Sequence, residues 1–321
     1  MSPTDELPRD MLVRVTEVGP RDGLQNEDRT LTIEQRVRFI KLLALAEPAE
    51  IEVASFVSPK WVPQMADAAE LAARLDPSDD VLYSALVPNE RGLDAALESG
   101  VGKIAVFTAA SETFSQRNTN ATIDESLARL APVIRRARDL GLPVRGYVSC
   151  VVACPYDGPI DPLVVRDVSA RLLGLGITEL DLGETIGVAA PLDIDRLYDG
   201  LEDLVSPGET TLHLHDTRGT ALACAMRALQ LGVRSFDGSC GGLGGCPFAP
   251  GAAGNLATED LAYMLERMGI TPGLDLDAQF DAARYIEGVL GRPLTGRVYA
   301  VDGRSAPAPG SGAGGVAGSR A

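Results

Sequence analysis

Positive charge is in short supply in this 321-residue chain. There are 29 Lys and Arg against 45 Asp and Glu, giving a net charge of −16 at pH 7 and a pI near 4.6. Such a deficit argues against nucleic acid as a partner, because phosphate contacts require a basic surface. It argues equally against an anionic membrane surface, but not against a small anionic substrate held by a local cation. Long apolar runs are also missing, and none approaches the ~18 residues of a membrane span. Residues 1–10 are polar and acidic, unlike a signal or transit peptide. Cysteine is sparse and odd in number, with five residues at Cys150, Cys154, Cys224, Cys240 and Cys246. That pattern reads as reduced thiols in a cytoplasmic protein. No Gly-x-Gly-x-x-Gly follows the first apolar run, which weakens a Rossmann assignment. Histidine is scarce as well: His213 and His215 are the only two.

What is present is an ordinary globular composition, 45% hydrophobic and 23% charged, in a chain long enough to bury a large core. Short β-branched runs alternate with helical patterns. The strands are expected at Leu12–Val18, Ile51–Phe56, Val81–Leu86, Lys103–Thr108, Val144–Val152, Glu179–Leu182, Thr211–His215 and Ser235–Gly238. Helices are expected near 32–46, 64–75, 90–99, 122–140, 162–174, 192–204, 218–231 and 256–268. Thr32 with Gln35 makes a capping box, and Asp161-Pro162 offers an N-cap followed by an N1 proline. Strict strand–helix alternation predicts an α/β fold with a parallel sheet, and eight repeats close a (β/α)₈ TIM barrel. An open doubly wound sheet is the main competitor. Residues 276–290 read as an additional C-terminal helix, so the barrel domain spans 11–290. Residues 304–321, almost all Ser, Ala, Pro and Gly, read as a disordered tail.

In such a barrel the chemistry sits at the C-terminal strand ends, and the unusual residues fall there. His213 and His215, two apart on a strand, face the same way and can reach one point. An Asp from another strand end and a neutral amide oxygen would complete a mixed nitrogen–oxygen site, suited to Mg²⁺ or Mn²⁺. The competing reading is a pair of structural strand histidines. Asp22 follows Arg21 at the first strand end, either as a surface turn or as a carboxylate ligand beside a fixed guanidinium. Cys246 follows a glycine-rich run that permits close backbone approach to a ligand. Read blandly, it is an incidental thiol on a flexible loop. The other four cysteines read as structural.

The segments Glu17–Glu27, Ile51–Asp67, Gly146–Gly158, Leu182–Val188, His213–Gly219 and Gly241–Asp260 resemble those of 3-hydroxy-3-methylglutaryl-CoA lyases. The resemblance covers roughly residues 11–290. It is most specific in Gly241–Pro247 (GGLGGCP) and in the stretch from Ser55 to Asp67 (SFVSPKWVPQMAD). It implies a homodimeric barrel that cleaves 3-hydroxy-3-methylglutaryl-CoA to acetyl-CoA and acetoacetate, in leucine breakdown or ketone-body metabolism. It further implies Mg²⁺ or Mn²⁺ held by Asp22, His213, His215 and Asn255. Arg21 and Cys246 fall on the family's catalytic positions. Glu52, Tyr147 and Glu259 match further active-site or supporting positions. Asn118 is expected near the CoA moiety, and Gln25, Ser55 and Tyr147 are further candidate substrate contacts. In the implied reaction Arg21 stabilises a thioester enolate and Cys246 returns a proton to it. His213 takes part in proton transfer, through its other nitrogen or with the help of Glu184. The family usually has Asp where this chain has Glu184, and the extra methylene moves the carboxylate by about 1.5 Å, a misplacement of a size that can cost on the order of 10²-fold in rate. The alternatives are a lyase for another 3-hydroxyacyl-CoA such as a longer branched glutaryl-CoA, a related condensing synthase or aldolase, and a non-catalytic metal-binding barrel.

Overall fold

The computed structural model describes residues 11–304, apart from 26, 59–61, 77–80 and 245–253. Cys246 and residues 305–321 of the expected tail therefore lie outside the described residues. Eight parallel strands form a closed barrel. In chain order they are β1 Arg14–Glu17, β2 Glu50–Ser55, β3 Leu82–Leu86, β4 Lys103–Ala109, β5 Val144–Ser149, β6 Glu179–Glu184, β7 Thr210–Leu214 and β8 Ser235–Gly238. Each strand pairs with its neighbours in sequence. The seam closes where β1 pairs β8 (Thr16 beside Asp237) and β2 (Thr16 beside Glu50). The TIM barrel expected from strand–helix alternation is present, and the open sheet is not.

The helices are α1 Ile33–Ala44, α2 Ala68–Ala73, α3 Glu90–Ser99, α4 Glu112–Thr119, α5 Ile123–Asp139, α6 Pro162–Leu175, α7 Pro191–Leu201, α8 Ala221–Leu231, α9 Thr258–Arg267 and α10 Leu276–Leu290. The Thr32–Gln35 capping box forms, and Asp161 accepts from the Leu163 N–H ahead of Pro162. Helix α4 was not anticipated. Ser111 caps it, but with little more than Phe114 and Ser115 buried it has no apolar stripe to betray it. Strand β5 ends three residues earlier than expected, because Cys150 adopts φ 62° and turns the chain aside.

Period-two alternation divides the barrel into two interiors. Val13, Val15, Ile51, Val53, Leu182, Leu212 and Phe236 face the helices and are fully buried. The axial faces of the barrel strands carry Thr16, Glu50, Glu52, Lys103, Arg145, Asp181, Thr211, His213 and Asp237, also buried. The barrel axis is thus lined by charged and polar side chains where many such barrels pack branched apolar ones. No described helix is long and apolar enough to cross a membrane.

The described chain continues past α10. Residues 291–304 run back over the end of β8, burying Leu294 and Tyr299.

Candidate metal centre

Three strand ends build the centre. After β1 the chain makes one wide turn, Gly19–Gly23, in which the Arg21, Asp22 and Gly23 N–H groups all donate to the Val18 carbonyl. The turn directs Arg21 and Asp22 toward the barrel mouth. It packs so closely on the segment after β8 that a Cβ at Gly23 would meet Leu243 Cβ at 2.8 Å. From β7 come His213 and, one step beyond the strand, His215, which bridges Asn255. The imidazole centroids are 5.2 Å apart. One ligand atom each from Asp22, His213 and His215 fall within 4.8 Å of one another. Asn255 joins them by donating from Nδ2 to Asp22 Oδ2 at 2.9 Å and to the Leu243 carbonyl at 3.1 Å.

The donor set fits a divalent cation. His215 Nδ1 and Asn255 Oδ1 are buried without a hydrogen-bond partner among the described residues, a costly arrangement unless a ligand engages them. His213 Nδ1 lies 3.0 Å from Asp237 Oδ2, which leaves its Nε2 for other work. Burial raises the Asp22 carboxyl, but Arg21 and the two imidazoles outweigh it and hold the pKa at about 2. Burial, reinforced by the neighbouring His213, depresses His215 to about 4. An ionised carboxylate and a neutral imidazole are the forms that bind metals. For His213 burial acts downward, but the bond to Asp237 and the charges of Asp237 and Asp22 carry the net shift upward.

Arg21 is clamped beside this cluster. Its Nε donates to Glu52 Oε2 at 2.6 Å, and its NH1 meets Asp22 Oδ1 at 2.5 Å. The guanidinium stands 5.6 Å from the Tyr147 ring centroid. Burial pushes the Glu52 carboxyl up against the pull of Arg21. Burial also lifts the Tyr147 phenol well above its ordinary value, helped by the nearby Asp237 and Glu52 carboxylates. The phenol therefore keeps its proton.

The other candidates divide. Gln25 donates to Asp22 Oδ1 at 2.9 Å and belongs to the cluster. Ser55 is buried at the end of β2, beside a register shift between Glu52 and Ala54, with its Oγ unpartnered among the described residues. Glu184, at the end of β6, accepts from the Val188 N–H at 3.0 Å, so its carboxylate is held by the turn after its own strand. Burial raises its pKa. Glu259 accepts the Gly241 N–H on both oxygens and supports the chain leading into the glycine-rich loop. Asn118 lies on the exposed face of α4, and no described contact links it to the centre. Cys246 falls outside the described residues. Sequence reasoning passed over Asp237 and Arg145, which sit beneath His213. Their signal was an ionisable residue at alternate positions of a strand that must be buried, as in Arg145/Tyr147 and Glu50/Glu52.

The chain is similar to known proteins over most of its length. The model of the family described as HMGL-like matches residues 12–286. A 3-hydroxy-3-isohexenylglutaryl-CoA/hydroxy-methylglutaryl-CoA lyase of Pseudomonas aeruginosa is 49% identical over 280 residues, 87% of this chain and 93% of that one. The crystal structure of HMG-CoA lyase from Bacillus subtilis superposes with a TM-score of 0.89 at 44% identity, covering 92% of this chain and 98% of that chain. An Acinetobacter baumannii HMG-CoA lyase in complex with coenzyme A and 3-methylmalate superposes with a TM-score of 0.86 at 33% identity, covering 96% and 99%.

Proposed function

The chain belongs to the HMGL-like family, and from that premise we propose that it is a lyase cleaving 3-hydroxy-3-methylglutaryl-CoA to acetyl-CoA and acetoacetate. The observation that carries the reading is the convergence of Asp22, His213 and His215 within 4.8 Å, beside a guanidinium fixed on both sides. Asp22, His213 Nε2, His215 and Asn255 Oδ1 would hold Mg²⁺ or Mn²⁺, the ions that suit mixed nitrogen and oxygen donors with open positions. A divalent cation there supplies Lewis acidity toward the substrate's tertiary hydroxyl.

The remaining work falls to the chain. In the cleavage the hydroxyl oxygen loses its proton and becomes a carbonyl. The carbon–carbon bond breaks, and its electron pair passes into the thioester enolate, which then takes up a proton to give acetyl-CoA. Arg21 would meet the negative oxygen of that enolate. Because Glu52 and Asp22 already hold its fork, little reorganisation is needed at the moment of reaction. Tyr147 lies beneath the Arg21 guanidinium and, as a neutral phenol, offers no competing charge. Cys246 remains the proposed donor of the proton to carbon. With Nε2 assigned to the metal, any proton that His213 moves passes at Nδ1, which faces Asp237, and otherwise the transfer falls to a carboxylate such as Glu184.

Product formation from 3-hydroxy-3-methylglutaryl-CoA, with Mg²⁺ and again with excess EDTA, tests the proposal. Metal-dependent release of acetyl-CoA and acetoacetate is expected. Metal binding without turnover would sink the substrate assignment and leave another acyl-CoA or the non-catalytic barrel. A second reading has its own support. The Pseudomonas aeruginosa relative is named for a longer branched glutaryl-CoA as well, and Glu184 replaces the Asp expected from the resemblance. If Glu184 shapes that choice, Glu184→Asp shifts the ratio of kcat/KM for the two substrates, whereas an unchanged ratio removes it from specificity. The proposal includes a homodimer and a cytoplasmic setting, the latter consistent with the free thiols of Cys150, Cys154, Cys224 and Cys240. It also includes the place in leucine or ketone-body metabolism that the resemblance implies.

A further inference from the structure

We propose that Asp237, pinned by the buried Arg145 guanidinium, is a positioning residue that fixes His213 with its proton on Nδ1 and so presents Nε2 as the ligand nitrogen. The inference rests on the metal-site reading above and adds what orients one of its ligands. Asp237 lies on β8, two residues along from Ser235 and directly beside Thr16 of β1, so it faces the barrel axis. Its Oδ1 accepts from Arg145 NH1 at 3.0 Å. Its Oδ2 accepts from the Tyr147 hydroxyl at 3.3 Å and lies 3.0 Å from His213 Nδ1. Both oxygens thus serve as acceptors, and an acceptor opposite Nδ1 requires the proton on that nitrogen.

Arg145 is what holds Asp237 still. It is among the largest fully buried side chains, and its fork reaches four strands. NH2 donates to Thr16 Oγ1 at 2.7 Å and to Glu50 Oε2 at 3.1 Å, and it pairs with Glu179 Oε1 at 2.8 Å. NH1 faces Asp237, Tyr147 and, at 3.4 Å, Asp181 Oδ2. A planar guanidinium bound on so many sides has no alternative rotamer to adopt. The two histidines are therefore held differently. Asp237 orients His213 from below, whereas His215 Nδ1 is buried with no partner among the described residues.

Because the chain has only two histidines, ¹⁵N-histidine labelling reports on the site without background. Long-range ¹H–¹⁵N spectra of the Mg²⁺-loaded protein assign each tautomer, and His215→Gln separates the two sets of signals. His213 is expected as the Nδ1–H form. In Asp237→Asn that form gives way to a mixture or to the Nε2–H form. The Mn²⁺ affinity, read from the EPR signal of free Mn²⁺, falls about 10- to 100-fold, and Asp237→Glu recovers part of it. A wild-type His213 protonated on Nε2 overturns the inference, and this measurement needs no variant to fold. Asp237→Asn with wild-type tautomer and affinity also overturns it. His213→Ala keeps the two readings apart. If it leaves Mn²⁺ affinity untouched, the metal-site reading itself fails. If it abolishes binding while Asp237→Asn changes nothing, only the positioning role fails.

Discussion

Glu17 has no contact with bulk water and four groups to satisfy. Its Oε1 accepts the N–H groups of Gly19 and Cys240, each at 2.8 Å, and its Oε2 accepts from Thr258 Oγ1 and Gln279 Nε2. It thereby ties the turn carrying Arg21 to the end of β8. Burial raises its pKa from 4.5 to about 7, against the pull of those donors. A carboxyl with a raised folded-state pKa stabilises the fold fully below its unfolded value, and that contribution is lost as pH rises through the folded value. Thermal stability is therefore expected to fall between pH 4.5 and about 7, on the order of 3 kcal/mol for a fully buried group. Glu17→Gln should flatten the decline, since the partnerless Gln279 Oε1 can turn to accept from the new amide. Melting curves of both proteins at pH 5.5 and 8.0 decide the matter, and equal slopes would remove Glu17 from it. Arg21→Lys tests a second residue. The charge stays but the fork to Glu52 and Asp22 goes, so kcat should drop about 10²- to 10³-fold with little change in KM. A matching rise in KM with kcat intact would instead assign Arg21 to ground-state binding.

Elements were legible where their periodicity was enforced on both faces. All eight strands could be read because their outward residues are mostly apolar, with exceptions such as Glu17, Thr108 and Thr210, and the capped helices because Thr32 and Asp161 announce them. The same alternation hid part of the centre. An inward Arg145 or Asp237 looks like the polar face of a half-exposed strand until the barrel closes and shows that no solvent face exists. Helix α4 escaped for the opposite reason, since its eight residues bury too little to impose a period. The turn after β6 makes an element-scale prediction. Gly187 there has φ 60°, and a Cβ would fall 2.6 Å from Thr217 Cβ and 2.7 Å from the Thr217 nitrogen. The N–H groups of this turn hold Glu184. Gly187→Ala must therefore displace the turn, at about 1–3 kcal/mol for the backbone alone, and weaken turnover along with stability. A variant that melts and turns over like the wild type would show that the turn does not govern Glu184. Thr32→Ala, at a cap far from the centre, should lose about 1 kcal/mol of stability with kcat unchanged.

At the scale of the whole molecule, the segment after α10 acts as a strap over the end of β8. The Thr295 and Gly296 N–H groups donate to the Gly241 carbonyl at 3.0 and 2.8 Å, and Thr295 Oγ1 donates to the Gly242 carbonyl at 3.0 Å. The N–H groups of Arg297 and Val298 donate to Asp260 at 3.1 and 2.7 Å. The Arg297 side chain pairs with Asp216, just past the histidines, but it is 58% exposed and adds little. Leu294 and Tyr299 contribute more, at about 1.5–3 kcal/mol each for a buried side chain, while each hydrogen bond is worth about 1 kcal/mol. Together these approach the ~5–15 kcal/mol that keeps a typical domain folded. Ending the chain after Leu290 should therefore lower the melting temperature by ten degrees or more, at about 2–4 °C per kcal/mol. It should also free the Gly241–Leu243 segment that accepts from Asn255, so Mn²⁺ affinity falls with it. Ending the chain after Arg304 keeps every contact named here, and both quantities should match the full-length protein. If the shorter chain instead melts and binds Mn²⁺ like the longer one, the barrel alone holds the β8 end in place and the strap has no part in building the centre.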